Sequence, residues 1–301
     1  MKKHIIILLV LFLKACVLFS QEEVVTLKLY HTTDVHGHFF PFDFINNKDS
    51  EGSLARVSAY IREQRKQYGG ESVLLFDGGD ILQGQPSVYY SNFVDTTSVH
   101  LAASVLNYIG YDAAVLGHHD IETGFPVFDR WKRDCKFNVL GANIVLNEPS
   151  STSVYGNSYT LFERNNMKIA VIGMITEAIP AWLPENLWKV LSFTSIEEKA
   201  KKLIPHIQKK HHPDFIIGVF HSGVKCSEVA GFKENVTMEV AQRVPGFDVI
   251  FCGHDHTPFC EKIMNVAGDF VLIVNPGAHA KKISDVTIRA MMKAGKLLKA
   301  T

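Results

Sequence analysis

Four short words of histidine, aspartate and glycine stand at wide intervals along this chain, each close behind an apolar run. They are Asp34-Val35-His36, Gly79-Asp80, Gly117-His118-His119-Asp120 and Gly253-His254-Asp255-His256. A fifth point, His221 in Phe220-His221-Ser222-Gly223, falls between the third and the last. The strand-like runs are Val25–Tyr30, Val73–Phe76, Ala113–Leu116, Ile169–Gly173, Phe215–Phe220, Val249–Cys252 and Phe270–Val274. Several are continuous in Val, Ile, Leu and Phe, as strands read when both faces are covered. Helix-like stretches at Leu54–Tyr68, Val99–Ile109, Ile196–His211 and Met238–Arg243 alternate with them. Strand then helix, repeated, predicts an α/β layered domain. In such sheets ligands collect at the rim formed by the strand ends, and all five points sit at that rim.

The residue types at the rim are those that bind metals. Asp34 and His36 are two apart after a strand, where alternate side chains point the same way, and His254 and His256 repeat the spacing. The donors Asp34, His36, Asp80, His118, His221, His254 and His256 exceed what one tetrahedral site with an open position needs. Two ions sharing Asp80 as a bridging carboxylate would use all seven. Mixed imidazole and carboxylate donors favour divalent zinc, manganese or iron over calcium or magnesium. Two such ions roughly 3.5–4 Å apart can hold an activated hydroxide and clamp a phosphoryl oxygen, so the pattern predicts a metal-dependent hydrolase.

Charge and composition narrow the substrate. Formal net charge is zero and no basic tract is present, which argues against a nucleic acid polymer and leaves a small phosphorylated molecule. Residues 1–20 read as a secretory signal peptide: Lys2 and Lys3, the apolar run Ile5 to Leu13, then small residues up to Ser20. The run is too short for a stable membrane span. Leu13-Lys14-Ala15-Cys16 is an imperfect lipoprotein box because lysine sits inside it, so cleavage after Ser20 is preferred to anchoring at Cys16. The chain is expected to be secreted or periplasmic. Cys135, Cys226, Cys252 and Cys260 show no zinc-knuckle spacing. No linker divides residues 24–301, which are read as one catalytic domain.

Taken in order, Asp34-x-His36, Gly79-Asp80, Gly117-x-His119-Asp120, His221 and Gly253-His254-x-His256 resemble the calcineurin-like metallophosphatases. The local words His31-Thr32-Thr33-Asp34-Val35-His36-Gly37, Asp77-Gly78-Gly79-Asp80 and His221-Ser222-Gly223 are similar to those of the secreted 5′-nucleotidase and 2′,3′-cyclic nucleotide phosphodiesterase family. The resemblance covers nearly all of residues 24–301. It implies a four-layer α/β/β/α metallophosphatase sandwich that hydrolyses nucleotide phosphate esters. A first metal would be held by Asp34, His36, Asp80 and His256, and a second by Asp80, His118, His221 and His254. His119 would face the substrate and protonate the leaving oxygen, oriented by Glu122. Asp77 would be a neighbour of the site and not the bridging ligand. The same site would serve a 2′,3′-cyclic nucleotide phosphodiesterase or a pyrophosphohydrolase.

Two departures from the family pattern stand out. Family members carry asparagine where this chain has His118, which places the donor atom at a different reach and exchanges oxygen for nitrogen. A disabled second site would make the chain a non-catalytic metal-binding subunit. The rings of His118 and His119, adjacent in an extended segment, are expected to point apart. The second departure is length: full-size relatives carry a C-terminal base-binding domain, so here either a separate chain supplies that function, or substrate choice is loose, or the gene is divided.

Other residues divide between structure and site. His100 and His206 are read as structural, His31 as either structural or a support behind the ligands, and His38 as a neighbour of the cleft. Phe39, Phe40, Phe42 and Phe44 are read as packing under a loop ahead of an aromatic cleft wall, Trp182 and Trp188 as a packed loop, a lid or a partner face, and Arg56 as surface or a support behind the site ahead of a phosphate contact. Gln83 and Asn143 are substrate neighbours by resemblance alone. Lys293 to Lys299 is read as a solvated tail.

Overall fold

Period-2 alternation along the strands builds the architecture of this computed structural model, which describes residues 22–148 and 151–301. The leader read at residues 1–20, with Cys16, lies outside the described residues. One sheet holds β1 (Glu22–Thr32), β2 (Val73–Asp77), β3 (Ala113–Val115) and β4 (Asn138–Leu140). The other holds β5 (Tyr159–Arg164), β6 (Met167–Ile175), β7 (Phe215–His221), β8 (Val249–Cys252), β9 (Phe259–Met264) and β10 (Phe270–Asn275). The chain then returns to the first sheet as β11 (Ser284–Lys293) and β12 (Lys296–Ala300), giving orders β12-β11-β1-β2-β3-β4 and β9-β10-β8-β7-β6-β5. β1 to β4 run parallel, as do β6, β7, β8 and β10, and the antiparallel strands lie toward the edges.

The two sheets face each other. Leu27, Leu29, Leu74 and Phe76 of the first meet Ile169, Val171, Ile217, Val219 and Phe251 of the second in one buried cluster. The alternate residues point outward. Tyr30, Val73 and Leu75 pack under α1 (Leu54–Tyr68), α3 (Leu101–Ile109) and α5 (Phe125–Asp134), with α2 (Pro86–Phe93) and the short α4 (His118–Glu122) between them in the chain. Ala170, Ile172, Ile216 and Ile250 pack under α6 (Ile196–His211) and α7 (Thr237–Arg243). The result is the helix–sheet–sheet–helix sandwich expected from the motifs.

Helix ends follow local chemistry. Ser53 caps α1 by accepting from the Arg56 N–H, and Ser195 caps α6 by accepting from the Glu198 N–H. Three aspartates set the parallel registers. Asp112, Asp214 and Asp248 stand immediately before β3 and β7 and just before β8, and accept the N–H of Leu75, Lys168 and Ile216 at 2.8, 2.7 and 2.8 Å. Each returns its own N–H to the carbonyl of the same residue. The strands are thus pinned at their starts, and their carboxyl ends stay level where the ligand loops begin.

One expectation is overturned. Lys296–Ala300 is not a solvated tail but an edge strand paired antiparallel with β11. Its lysines face outward while Leu297 and Ala300 pack on the core between the sheets. The four cysteines among the described residues are unbridged, with Cys252 buried in β8 as read. Among the described residues, no helix is long and apolar enough to cross a membrane.

Candidate metal centre

Every donor named from the sequence lies at the carboxyl end of a parallel strand. Asp34 and His36 follow β1, Asp80 follows β2, His118 and His119 follow β3, His221 ends β7, and His254 and His256 follow β8. The structure brings them together. Ligand atoms of Asp34, Asp80 and His221 lie within 4.8 Å of one another, as do those of His118, His221 and His254, and those of Asp80, His118 and His119. His256 Nε2 is 3.2 Å from Asp34 Oδ1 and 3.2 Å from His36 Nε2.

Backbone geometry sets these positions at a cost. Asp34, His36, Asp80, His254 and His256 all have positive φ, between 50° and 77°, a region non-glycine residues rarely occupy. Such strain persists where surrounding contacts over-determine it. Here the Asp34 N–H donates to the Gly79 carbonyl, the His36 N–H to the Asp80 carbonyl, and the His254 N–H to the Asp34 carboxylate. Gly117 and Gly253 permit the close approach: a Cβ would fall 2.1 Å from Asp80 Oδ1 at the first and 2.0 Å from Thr33 Oγ1 at the second.

Asp120 is the hub of this network. Its buried carboxylate accepts the N–H groups of Gly117, Asp80, Ile81 and Leu82 at 2.7–2.9 Å, tying the Asp80 loop to the His118 turn. Burial, then Asp80 nearby, raises its pKa to about 6. Asp77 accepts from Thr32 Oγ1 and the Gly79 N–H and lies in none of the donor groups. Burial, then Asp120, pushes its carboxyl well above the usual range.

The donor set fits cations. Asp80 Oδ2 is buried without a hydrogen bond, yet His118 Nδ1 and His221 Nε2 stand 3.1 and 3.2 Å from it. The outer nitrogens of three rings are already engaged: His221 Nδ1 with the Gly78 carbonyl, His36 Nδ1 with Gln83, and His254 Nε2 with Glu234 Oε1 at 3.0 Å. Outer contacts of this kind fix the tautomer of a metal-binding imidazole. They leave His221 Nε2, His36 Nε2 and the unpartnered, buried His254 Nδ1 to converge. The electrostatics agree. Burial alone would raise Asp80, but His221 and His118 outweigh it and hold its carboxyl well below the ordinary range. Burial also opposes a charged His221, yet Asp80 lifts it to about 10. A site that holds a buried proton so firmly is one that calls for positive charge.

Two expectations about the His118 turn are corrected. His118 and His119 open a short helix instead of lying extended, so their rings do not point apart but lie against each other, tilted by 40° with centroids 4.0 Å apart. Nor does His118 present its donor at a different reach. It turns Nδ1 inward, and Nδ1 is bonded to Cγ just as an asparagine Oδ1 is. His119 Nδ1 meets Glu122 Oε2 at 2.6 Å, and its ring lies 5.4 Å from that of His36.

Some residues went unread. Glu234, behind His254, lies in a polar strand with no motif around it. Trp182 packs on His118 and His254, with centroids 5.2 and 5.4 Å away. Asn143 is no substrate neighbour: it is buried, and both ends of its amide are spent on the Ile175 backbone and Thr194. Gln83 lies beside His36, Arg56 is exposed, and buried His31 stacks on Phe251 at 5.0 Å. Phe39 packs in the core, whereas Phe40 and Phe44 are exposed.

Comparisons with known proteins agree with this geometry. The family described as calcineurin-like phosphoesterase matches residues 27–258. The trifunctional nucleotide phosphoesterase protein YfkN of Bacillus subtilis is 29% identical over 253 residues, covering 80% of this chain and 17% of that protein. A 5′-nucleotidase of Vibrio cholerae is 31% identical over 244 residues, covering 79% of this chain and 42% of that one. The chain thus spans less than half the length of these relatives. The crystal structure of the calcineurin-like phosphoesterase YfkN from Bacillus subtilis shares the fold, with a TM-score of 0.76 at 24% identity over 93% of this chain and 90% of that one.

Proposed function

Because the chain belongs to the calcineurin-like phosphoesterase family, we propose that it hydrolyses phosphate esters of nucleotides with two divalent transition-metal ions, zinc, manganese or iron. The observation that carries this reading is the buried Asp80 carboxylate, whose unbonded Oδ2 is ringed by imidazole nitrogens. The names of the relatives, a nucleotide phosphoesterase and a 5′-nucleotidase, support the substrate class.

Asp34, His36, Asp80 and His256 hold one ion, and Asp80, His118, His221 and His254 hold the other. When bound, the pair supplies Lewis acidity toward phosphoryl oxygen and acidifies water. His119 stands between the two donor sets. With Nδ1 held by Glu122, it offers the proton on Nε2 to the departing ester oxygen. Trp182 shields His118 and His254 from bulk water. Residues 24–301 form the catalytic domain, and residues 1–20 direct export, so the reaction takes place in the periplasm or outside the cell.

A panel of nucleoside monophosphates, cyclic nucleotides and dinucleotides, assayed with manganese and with zinc, tests the proposal. Turnover of monophosphates is expected, with two ions per chain. Asp80→Ala removes most bound metal and nearly all turnover, because one carboxylate serves both ions. One ion or none per chain, with no turnover of any substrate, would instead mark a metal-binding subunit.

A further inference from the structure

A third imidazole stands beside the first donor set. His279, in the loop after β10, brings a ring nitrogen within 4.8 Å of ligand atoms of both His36 and His256. Its ring centroid lies 5.6 Å from that of His36 and 5.8 Å from that of His256. It faces a cavity of about 620 Å³ that is also lined by His36, His38, Gln83, His256 and Lys281.

The loop presents this ring deliberately. His279 has φ 62°, and Gly277 and Ala280 beside it are also left-handed. The strain is held from two sides. The His279 N–H donates to the Asp34 carbonyl at 2.8 Å, joining its backbone to that of a donor residue. On the other side Gly52 approaches so closely that a Cβ there would lie 2.0 Å from the His279 carbonyl oxygen. Non-glycine residues kept in this conformation cluster at functional sites. Among the described residues the ring makes no hydrogen bond, whereas His38, with its ring centroid 4.7 Å away, turns Nδ1 toward Ser50.

We infer that His279 is a further ligand to the ion held by Asp34, His36, Asp80 and His256, entering from the cavity side. This rests on the dinuclear reading above. It raises the protein donors at that ion from four to five and the imidazoles from two to three. A nitrogen-rich set shifts preference toward zinc or iron and away from manganese.

Cobalt(II) titration of the metal-free full chain, followed by its visible absorption and by chelator competition, tests the inference without reference to turnover. Wild type takes up two equivalents. His279→Gly suits the left-handed backbone and removes only the ring. It is expected to weaken one equivalent by about tenfold or more, at least the effect of losing an outer contact to a ligand. The other equivalent is unchanged, and absorption at the weakened site intensifies as its coordination number falls. His38→Ala leaves both equivalents intact. Two equivalents bound by His279→Gly as in wild type, or an equal loss in His38→Ala, overturns the inference. Wild type that takes up no cobalt overturns the dinuclear reading itself. Should the metal-free glycine variant fail to melt cooperatively, His279→Asn, which also tolerates positive φ and offers a poorer donor, decides by the same criterion.

Discussion

At the residue scale, His118 shows how one substitution can leave a donor in place. Because Nδ1 faces Asp80 and His221 from the same position along the side chain as an amide oxygen, one bond beyond Cγ, His118→Asn is expected to keep both metals and to keep or raise turnover. A large loss in a steady-state assay would show that the site is tuned to imidazole. His100 makes a contrasting use of the same atom. It is buried, caps α3 by accepting the Ala102 N–H on Nδ1, and meets Asn92 with Nε2. Burial, then Arg130, lowers its pKa to about 4. A depressed histidine stabilises the fold above its unfolded pKa near 6.5, and that contribution drains away as pH falls toward 4. His100→Asn keeps an oxygen for the cap and should melt with a shallower pH dependence between 6.5 and 4; equal slopes would refute the assignment. The convergence of the seven candidate donors was legible because metal chemistry needs particular residue types at strand ends. His279 was not, since a lone histidine in Gly277-Ala278-His279-Ala280 carries no spacing signal, and only folding places it beside His36.

At the element scale, the donor loops are organised by a buried carboxylate that is itself spent on backbone hydrogen bonds. Asp120 accepts four backbone N–H groups from two loops. Asp120→Ala leaves those donors buried and unpaired, at about 1–3 kcal/mol for the first alone. It should lower the unfolding free energy by several times that amount, read as a lower denaturant midpoint, and weaken metal uptake together; loss of stability with full metal affinity would separate the two roles. Helices α1 and α6 were readable to the residue, because a serine cap opens each and an apolar stripe runs through it. The central strands were readable from their unbroken apolar runs. The edge strands β5, β9 and β12 were not, since each is short and its apolar residues are interrupted or flanked by charged ones, and charges on an edge discourage pairing with other chains. α4 was missed because its five residues are too few for periodicity.

At the scale of the whole molecule, the donors come from both sheets: β1, β2 and β3 on one side, β7, β8 and β10 on the other. Cations bound there bridge the sandwich, so their removal should loosen it. Chelation is expected to lower the melting temperature, and re-addition of metal at a hundred times its dissociation constant should restore about 2.7 kcal/mol per site. A thermal scan that does not respond to chelator would contradict this. There is also a kinetic corollary. Asp34 and His256 are brought into contact across more than two hundred residues of intervening chain, and contacts of such sequence separation form slowly. A nascent polypeptide emerging from its N-terminus therefore lacks the full set of donors until synthesis has passed His256. Any cation that needs both groups would have to wait for β8, and a product cut short before His256 would lack part of the donor set.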